Sequence, residues 1–287
     1  MRPKRRPAMA KIIDGKAISA EIRAEIAAEV ASMEVKPGLS VVIVGEDPAS
    51  KVYVRNKHKA CSEVGIRSEV IELPETTTQE ELDAVIDRLN ADPSVNGILC
   101  QLPLPKHLSE DEVIARIDPK KDVDAFSAVN VGHIMLGDPV FLPCTPAGVM
   151  ELLRRSGIEV SGKNCVMVGR SNIVGKPMAM LLMKADGTVT VCHTKTADLK
   201  SVTLGADILV VAMKKARYIK ADMVKEGAVV IDVGMNRDGN GKLCGDVDFD
   251  SVSEKAGYIT PVPGGVGPMT ITMLLRNTVT AARMQSK

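Results

Sequence analysis

The feature that most constrains the fold is an alternation of short strand-like runs with helical patterns, which the chain goes through twice. In the first pass Leu39–Val44, Ile66–Leu73 and Val95–Cys100 read as strands. Between them Ser50–Val64 and Thr78–Asn90 read as helices, the second capped by Thr78 with Glu81 three residues on. An amphipathic helix over residues 16–33 and a Pro37-Gly38 turn precede them. In the second pass Asn164–Val168, Thr188–Cys192, Asp207–Ala212 and Ala228–Val233 are the strands. Strands that alternate with helices form parallel sheets, and parallel sheets bind ligands beyond the carboxyl ends of their strands. Two passes in 287 residues predict two α/β domains, each with its own core.

Composition removes several classes of function. Lys and Arg number 37 against 36 Asp and Glu, so no basic surface for nucleic acid or anionic membrane is expected. Aromatic residues are 2% of the chain and tryptophan is absent, which leaves no platform for stacking bases. No apolar run approaches the roughly 20 residues of a membrane span. The six cysteines (61, 100, 144, 165, 192 and 244) form no CxxC pair and read as reduced core residues of a cytoplasmic protein. The four histidines lack metal-ligand spacing, so no metal is expected. The basic start lacks the apolar core of a secretory signal, and residues 1–8 read as a loose basic tail.

Within the first pass, the helix from Ser50 carries an anomaly. Tyr53, Lys57, Ala60, Cys61 and Val64 share an arc of roughly 100°, with Ser50 on its rim, while Lys51, Arg55, His58, Lys59 and Glu63 face elsewhere. One lysine therefore lies on the apolar side. Burial there favours an uncharged amine suited to proton transfer, whereas a lysine whose methylenes cover the core edge is the plainer alternative. Gly45–Tyr53 and Gln101 follow two strand ends and are expected to meet over one cleft. Gln101-Leu102-Pro-Leu-Pro can continue neither as helix nor as central strand. Lys121-Asp122-Val123-Asp124 is an acidic loop, and such loops are ordinarily just solvated.

The second pass opens near Pro143-Cys-Thr-Pro146, ahead of a helix over Ala147–Arg155. Its first strand runs into Gly169-Arg170-Ser171-Asn-Ile-Val-Gly175-Lys-Pro177. The spacing is GxSxxxG rather than GxGxxG. The context of strand, glycine turn and helix start is what points to a bound phosphate, facing backbone N–H groups and a helix dipole. The next strand ends in His193-Thr194-Lys195-Thr196, where an NAD-binding fold would carry an acid for the ribose hydroxyls. A hydroxyl and a lysine there, with Arg170 upstream, favour NADP. Plain turns in an α/β protein that binds no nucleotide are the competing reading. Further on, Thr260-Pro-Val-Pro263-Gly264-Gly265-Val266-Gly267-Pro268-Met269-Thr270 is a rigid loop of little bulk, open to a planar ligand. Pro268 should start a closing helix over Met269–Met284 that returns to the first domain.

These pieces together resemble the bifunctional methylenetetrahydrofolate dehydrogenase/cyclohydrolases over nearly the whole length. The motifs are Ser50-x-x-Tyr53-x-x-x-Lys57, Gln101-Leu-Pro-Leu-Pro, Lys121-Asp-Val-Asp124, Pro143-Cys-Thr-Pro, Gly169-Arg-Ser, Gly245-Asp-Val and Pro261-Val-Pro-Gly-Gly-Val-Gly-Pro-Met-Thr270. The resemblance implies a catalytic domain of residues 9–146 plus 269–287 and a Rossmann-like domain of 147–268, with the active-site cleft between them. It implies oxidation of 5,10-methylenetetrahydrofolate with NADP and hydrolysis of the methenyl product to 10-formyltetrahydrofolate. It also implies a cytoplasmic homodimer in one-carbon metabolism, supplying purine, methionine and histidine biosynthesis. By carry-over, Lys57 is the general acid/base, Gln101 tunes it, Ser50 supports it, Tyr53 stacks on the folate and Asp124 holds the pterin edge. Leu102 and the loop Pro263, Gly264, Gly265, Val266, Pro268, Met269 and Thr270 would line the folate site. Gly169, Arg170, Ser171, Gly175, Thr194 and Met235 would hold NADP.

The chain departs from the family pattern at three places. Ala125 follows Asp124 where glycine is usual. Lys214-Lys215-Ala216 replaces a Gly-Arg/Lys-Pro turn near the cofactor, so this loop is expected to take another path. Met235 stands where isoleucine is common. A dehydrogenase without the hydrolytic step and a catalytically idle nucleotide sensor are the rival functions.

Overall fold

A computed structural model describes residues 9–286; the expected basic tail of residues 1–8 lies outside them. In chain order the elements are β1 (Lys11–Ile12), α1 (Gly15–Ala31), β2 (Gly38–Val44), α2 (Pro48–Val64), β3 (Arg67–Leu73), α3 (Gln79–Ala91), β4 (Gly97–Cys100), α4 (Glu110–Arg116) and α5 (Ala128–Leu136). There follow α6 (Cys144–Arg155), β5 (Asn164–Val168), α7 (Gly175–Lys184), β6 (Thr188–Cys192), α8 (Leu199–Thr203), β7 (Ile208–Val211) and β8 (Val229–Asp232). The chain ends with β9 (Asn236–Arg237), β10 (Leu243–Cys244), α9 (Phe249–Ser253), β11 (Tyr258–Ile259) and α10 (Val266–Gln285).

The chain divides into two compact units. One comprises Ala20–Cys144 and Ile271–Lys287. Its parallel sheet has the order β3-β2-β4, and β2 and β4 are buried along their whole length. A strand covered on both faces needs apolar residues throughout, which is what Val41-Val42-Ile43-Val44 supplies. Leu82, Ile86 and Leu89 of α3 pack with Val42, Ile98 and Val113, each full burial contributing about 1.5–3 kcal/mol. Local signals set the helix ends: Thr78 and Glu81 form a reciprocal capping box, and Gly65 closes α2 at φ 80. The C-terminal helix is tied in by ion pairs from Arg276 and Arg283 to Glu29, and by Arg23 Nε on Thr272.

The other unit comprises residues up to Ser19 together with Thr145–Thr270. Its six-stranded sheet runs β1-β11-β8-β7-β5-β6, parallel throughout. The connection from β5 runs to β6 on one side, and the connection from the neighbouring β7 runs to β8 on the other. That reversal is a topological switch point, where doubly wound sheets open a crevice for ligand.

Three expectations are corrected here. Residues 9–19 belong with the six-stranded unit rather than the first domain, because Lys11 and Ile12 pair with Tyr258 and Ile259. Helix α10 starts at Val266, so Pro268 sits in its first turn, where a missing N–H costs nothing. Helix α6 likewise starts at Cys144, ahead of Pro146. Helix α5 falls between the two passes, in a stretch for which the sequence pattern predicts no element. Ser127 caps it by accepting from Asn130 N, and Gly137 closes it at φ 85.

Candidate active site

In the three-stranded unit, α2 follows β2, and Gln101 follows the neighbouring β4. Their hydrogen-bonded pairing brings the two strand ends together. Lys57 is 9% exposed, on the same helical face as Ser50, Ala60, Cys61 and Val64. Its Nζ donates to Gln101 Oε1 at 3.0 Å. Gln101 Nε2 donates to Leu102 O at 2.6 Å, which fixes the amide so that its oxygen faces the lysine. Asp47 caps α2 through Ser50 N at 2.7 Å. Tyr53 is half-buried, and burial pushes its phenol up.

Asp124 reaches this cluster because its loop runs beside β4: Ile98 bridges Asp122 in parallel, and Ile98 N donates to Lys121 O. The other charges of Lys121-Asp-Val-Asp124 hold the loop. Lys121 Nζ donates to Leu89 O, Asn90 O and Asp92 O at 3.0, 2.8 and 2.7 Å, which satisfies the open carbonyls at the end of α3. Asp122 accepts from Phe126 N, Ser127 N and Asn130 Nδ2. Asp124 has a different setting. Burial raises its carboxyl above the usual range, the Lys57 charge and a hydrogen bond with Cys144 pull it back, and Asp122 pushes it up again. A cation, an amide and a hydrogen-bonded carboxylate thus share one partly desolvated corner, a set that can move protons and hold a polar ring edge. Ala125 takes φ 59, the left-handed region glycine occupies freely.

In the six-stranded unit, Gly169 ends β5 at φ 134, and a Cβ on it would lie 2.4 Å from Ala212 O. The glycine turn is therefore pressed against the end of β7, at the switch point. Ser171 Oγ accepts from Val174 N and Gly175 N at 3.2 and 3.3 Å, so it organises the first turn of α7. Arg170 and Thr194 are exposed at the ends of adjacent strands, and residues 193–196 contain no carboxylate. Those donors fit a phosphorylated ribose. Met235 is 46% exposed, and a Cβ on Gly267 would come within 3.7 Å of its Cε. In the Pro263–Thr270 loop Pro263 is exposed and Pro268 half-buried, whereas Gly264, Gly265, Val266 and Met269 are buried. Thr270 Oγ1 is 2.9 Å from Thr145 Oγ1.

The Lys214 loop does not depart from a glycine-like path. Lys214 adopts φ 57, and its neighbours are pinned by a buried carboxylate. Asp246 accepts from Met213 N, Lys214 N and Lys215 N at 2.7, 3.2 and 2.7 Å, and from Asn236 Nδ2 at 2.9 Å. Asp246 N in turn donates to Asp232 Oδ1, and Asp232 also accepts from Gly234 N and Val247 N. Burial raises Asp232 to about 7 against those three N–H groups. A Cβ on Gly245 would stand 1.8 Å from Asp232 Oδ2, so the Gly-Asp-Val motif needs its glycine.

Sequence reasoning missed Cys144 and Asp246. Cys144 is one of six free, buried thiols, and only its place in the Pro143-Cys-Thr-Pro motif set it apart. Asp246 lay in a motif with no evident ligand, its partners some thirty residues upstream. Among the described residues no group of three or more His, Cys, Asp or Glu could hold a metal ion, and no helix is long and apolar enough to cross a membrane.

Residues 13–124 match the family model of the tetrahydrofolate dehydrogenase/cyclohydrolase catalytic domain, and 143–286 match that of its NAD(P)-binding domain. The chain is 60% identical over 278 residues to the bifunctional protein FolD of Agathobacter rectalis, covering 96% of this chain and all of that protein. It is also 60% identical over 277 residues to the Moorella thermoacetica protein of the same name, covering 96% and 99%. Among solved structures, the bifunctional FolD enzyme of Campylobacter jejuni superposes with a TM-score of 0.94 at 52% identity, covering 96% of this chain and 99% of that one. The Trypanosoma brucei enzyme, complexed with NADP cofactor and inhibitor, gives 0.94 at 42%, covering 98% and 99%. With both domain models matched in order and full-length relatives at this identity, the chain belongs to the tetrahydrofolate dehydrogenase/cyclohydrolase family.

Proposed function

We propose that Lys57, Gln101 and Asp124 carry the folate chemistry of a bifunctional enzyme that oxidises 5,10-methylenetetrahydrofolate and hydrolyses the methenyl product to 10-formyltetrahydrofolate. NADP+, when bound, accepts the hydride that leaves the methylene carbon. Gly169, Arg170, Ser171, Gly175 and Thr194 would hold it, and Arg170 and Thr194 are the donors suited to a 2′-phosphate.

In the hydrolytic step water bonds to the methenyl carbon, and Lys57 Nζ, having first released a proton to solvent, takes one of its protons. The bond from that carbon to N5 then breaks as the formyl C=O forms. Lys57 returns the proton to N5, and the remaining hydroxyl proton leaves to solvent. Gln101 Oε1 keeps Nζ in place through both transfers, Asp124 holds the pterin edge, and Tyr53 and Leu102 bound the ring. Ser50 supports the same helical face. The observation that supports this reading most is the 3.0 Å bond from Nζ to an amide oxygen whose own N–H is fixed elsewhere.

Hydride departure is driven by the folate nitrogen and needs orientation, whereas the hydrolytic step needs the proton shuttle. Lys57→Met is therefore expected to abolish cyclohydrolase turnover and leave measurable NADPH formation. Equal survival of both activities would refute the assignment. The enzyme is further read as a cytoplasmic homodimer with no nucleic-acid partner, feeding purine, methionine and histidine biosynthesis. Six free thiols and balanced charge support that reading. Sedimentation of the purified protein tests the dimer.

A further inference from the structure

We propose that Asn277, on the C-terminal helix α10, is a positioning residue that sets the orientation of Asp124; this rests on the reading of Asp124 as the carboxylate that holds the pterin. Asn277 is 7% exposed, among Met273, Leu274 and Ala281. Neighbouring polar side chains on α10 bond to their own helix, Thr278 to Leu274 O and Thr280 to Arg276 O. Asn277 instead reaches away from it. Its Nδ2 donates to Val123 O at 2.7 Å and to Leu142 O at 2.8 Å, so both amide hydrogens are used on two separate loops. The same nitrogen lies 3.8 Å from Cys144 Sγ.

Val123 O belongs to the peptide plane whose other end is the Asp124 nitrogen. Holding that oxygen fixes the tilt of the plane, and with it the direction in which the Asp124 side chain leaves the backbone. Cys144 Sγ stands at the same corner, 3.5 Å from Val123 O and within reach of the Asp124 carboxyl, its single S–H serving one of the two acceptors at a time. On the far side Ala125 is fixed at φ 59. Asp124 thus sits between a clamped peptide and a left-handed residue, and the clamp comes from a helix some 150 residues away. A buried amide that made only packing contacts would cost folding energy, so its two short bonds indicate a selected geometry.

The test is a cycle of Asn277→Leu, Asn277→Ser, Asp124→Asn and the Asn277→Leu/Asp124→Asn pair in the intact protein. The readouts are KM for the folate substrate, KM for NADP+ and melting temperature. Asn277→Leu removes both donors at similar volume and is expected to raise the folate KM about tenfold while leaving the NADP+ KM unchanged. In the Asp124→Asn background the same change should add less than about twofold, because the group it positions is already gone. Asn277→Ser, the milder variant, keeps one donor and should fall between, and it carries the test alone if Asn277→Leu does not fold. Unchanged folate KM in a folded Asn277 variant, or penalties that multiply in the pair, would overturn the proposal. Unchanged folate KM in Asp124→Asn itself would instead overturn the reading of Asp124.

Discussion

Replacing Asp246 with asparagine removes one formal charge and no atoms of size, yet it should unfold much of the local structure. The carboxylate accepts four N–H groups, two on each oxygen: Met213 N and Lys214 N on Oδ2, Lys215 N and Asn236 Nδ2 on Oδ1. An asparagine has one oxygen. Whichever way its amide is flipped, an NH2 group faces two donors, so two bonds are lost. Hydrogen bonds to a charged acceptor contribute about 1.5–3 kcal/mol each, which puts the gross loss near 3–6 kcal/mol. Removing the like charge beside Asp232 offsets part of this, leaving a net loss of about 2–4 kcal/mol. Urea unfolding followed by circular dichroism measures the total. Native-state hydrogen exchange at Met213, Lys214 and Lys215 tests the location, since those amides should lose protection before the strands do. A net loss below about 1 kcal/mol with the three amides still protected would refute the four-donor account.

Asp232 gives a pH prediction of definite sign. Its carboxyl is raised to about 7 in the folded chain, so the folded state binds the proton more tightly than the unfolded one. Its contribution to stability is complete below about pH 4, falls as pH rises toward 7, and amounts to about 4 kcal/mol over that window. Asp232→Asn should flatten that slope in denaturant titrations at pH 4.5 and 7.5. Lys214→Gly should raise stability by about 0.5–1 kcal/mol: relief of the left-handed strain, about 1–2 kcal/mol, exceeds the added entropy of the unfolded chain, and the side chain removed is exposed. Ala125→Gly relieves the same strain but also loses a fully buried methyl worth about 0.8 kcal/mol, so its melting temperature should scarcely change. A large gain at position 125 would refute the comparison.

What could be read from the sequence was what local chemistry decides. The β2, β3 and β4 runs, the Thr78–Glu81 box and the Gly65 stop are set by residues within four positions of one another. The two-residue strands β1 and β11 pair across more than 240 positions and carry no periodicity, so the attachment of residues 9–19 could not be seen. In α5 the valines 129 and 131 and the internal Gly132 speak against helix, and Ser127 and Gly137 overrule them only through cap geometry. The lysine on the wrong face of α2 was legible because amphipathicity is a local property. The partners that fix Asp124 were not, since Cys144 and Asn277 are ordinary core positions until the chain is folded.

Lys121 carries one more consequence. The three carbonyls at the end of α3 converge on a single point, and an ammonium group offers three donors about one atom, while guanidinium spreads its donors across a rigid plane. The position therefore selects a coordination shape rather than a positive charge. An arginine of equal charge would be the poorer occupant, and acetylation would destroy the cage along with the charge. Because the next residues lead to Asp124, a modification of Lys121 would shift the backbone that carries that carboxyl.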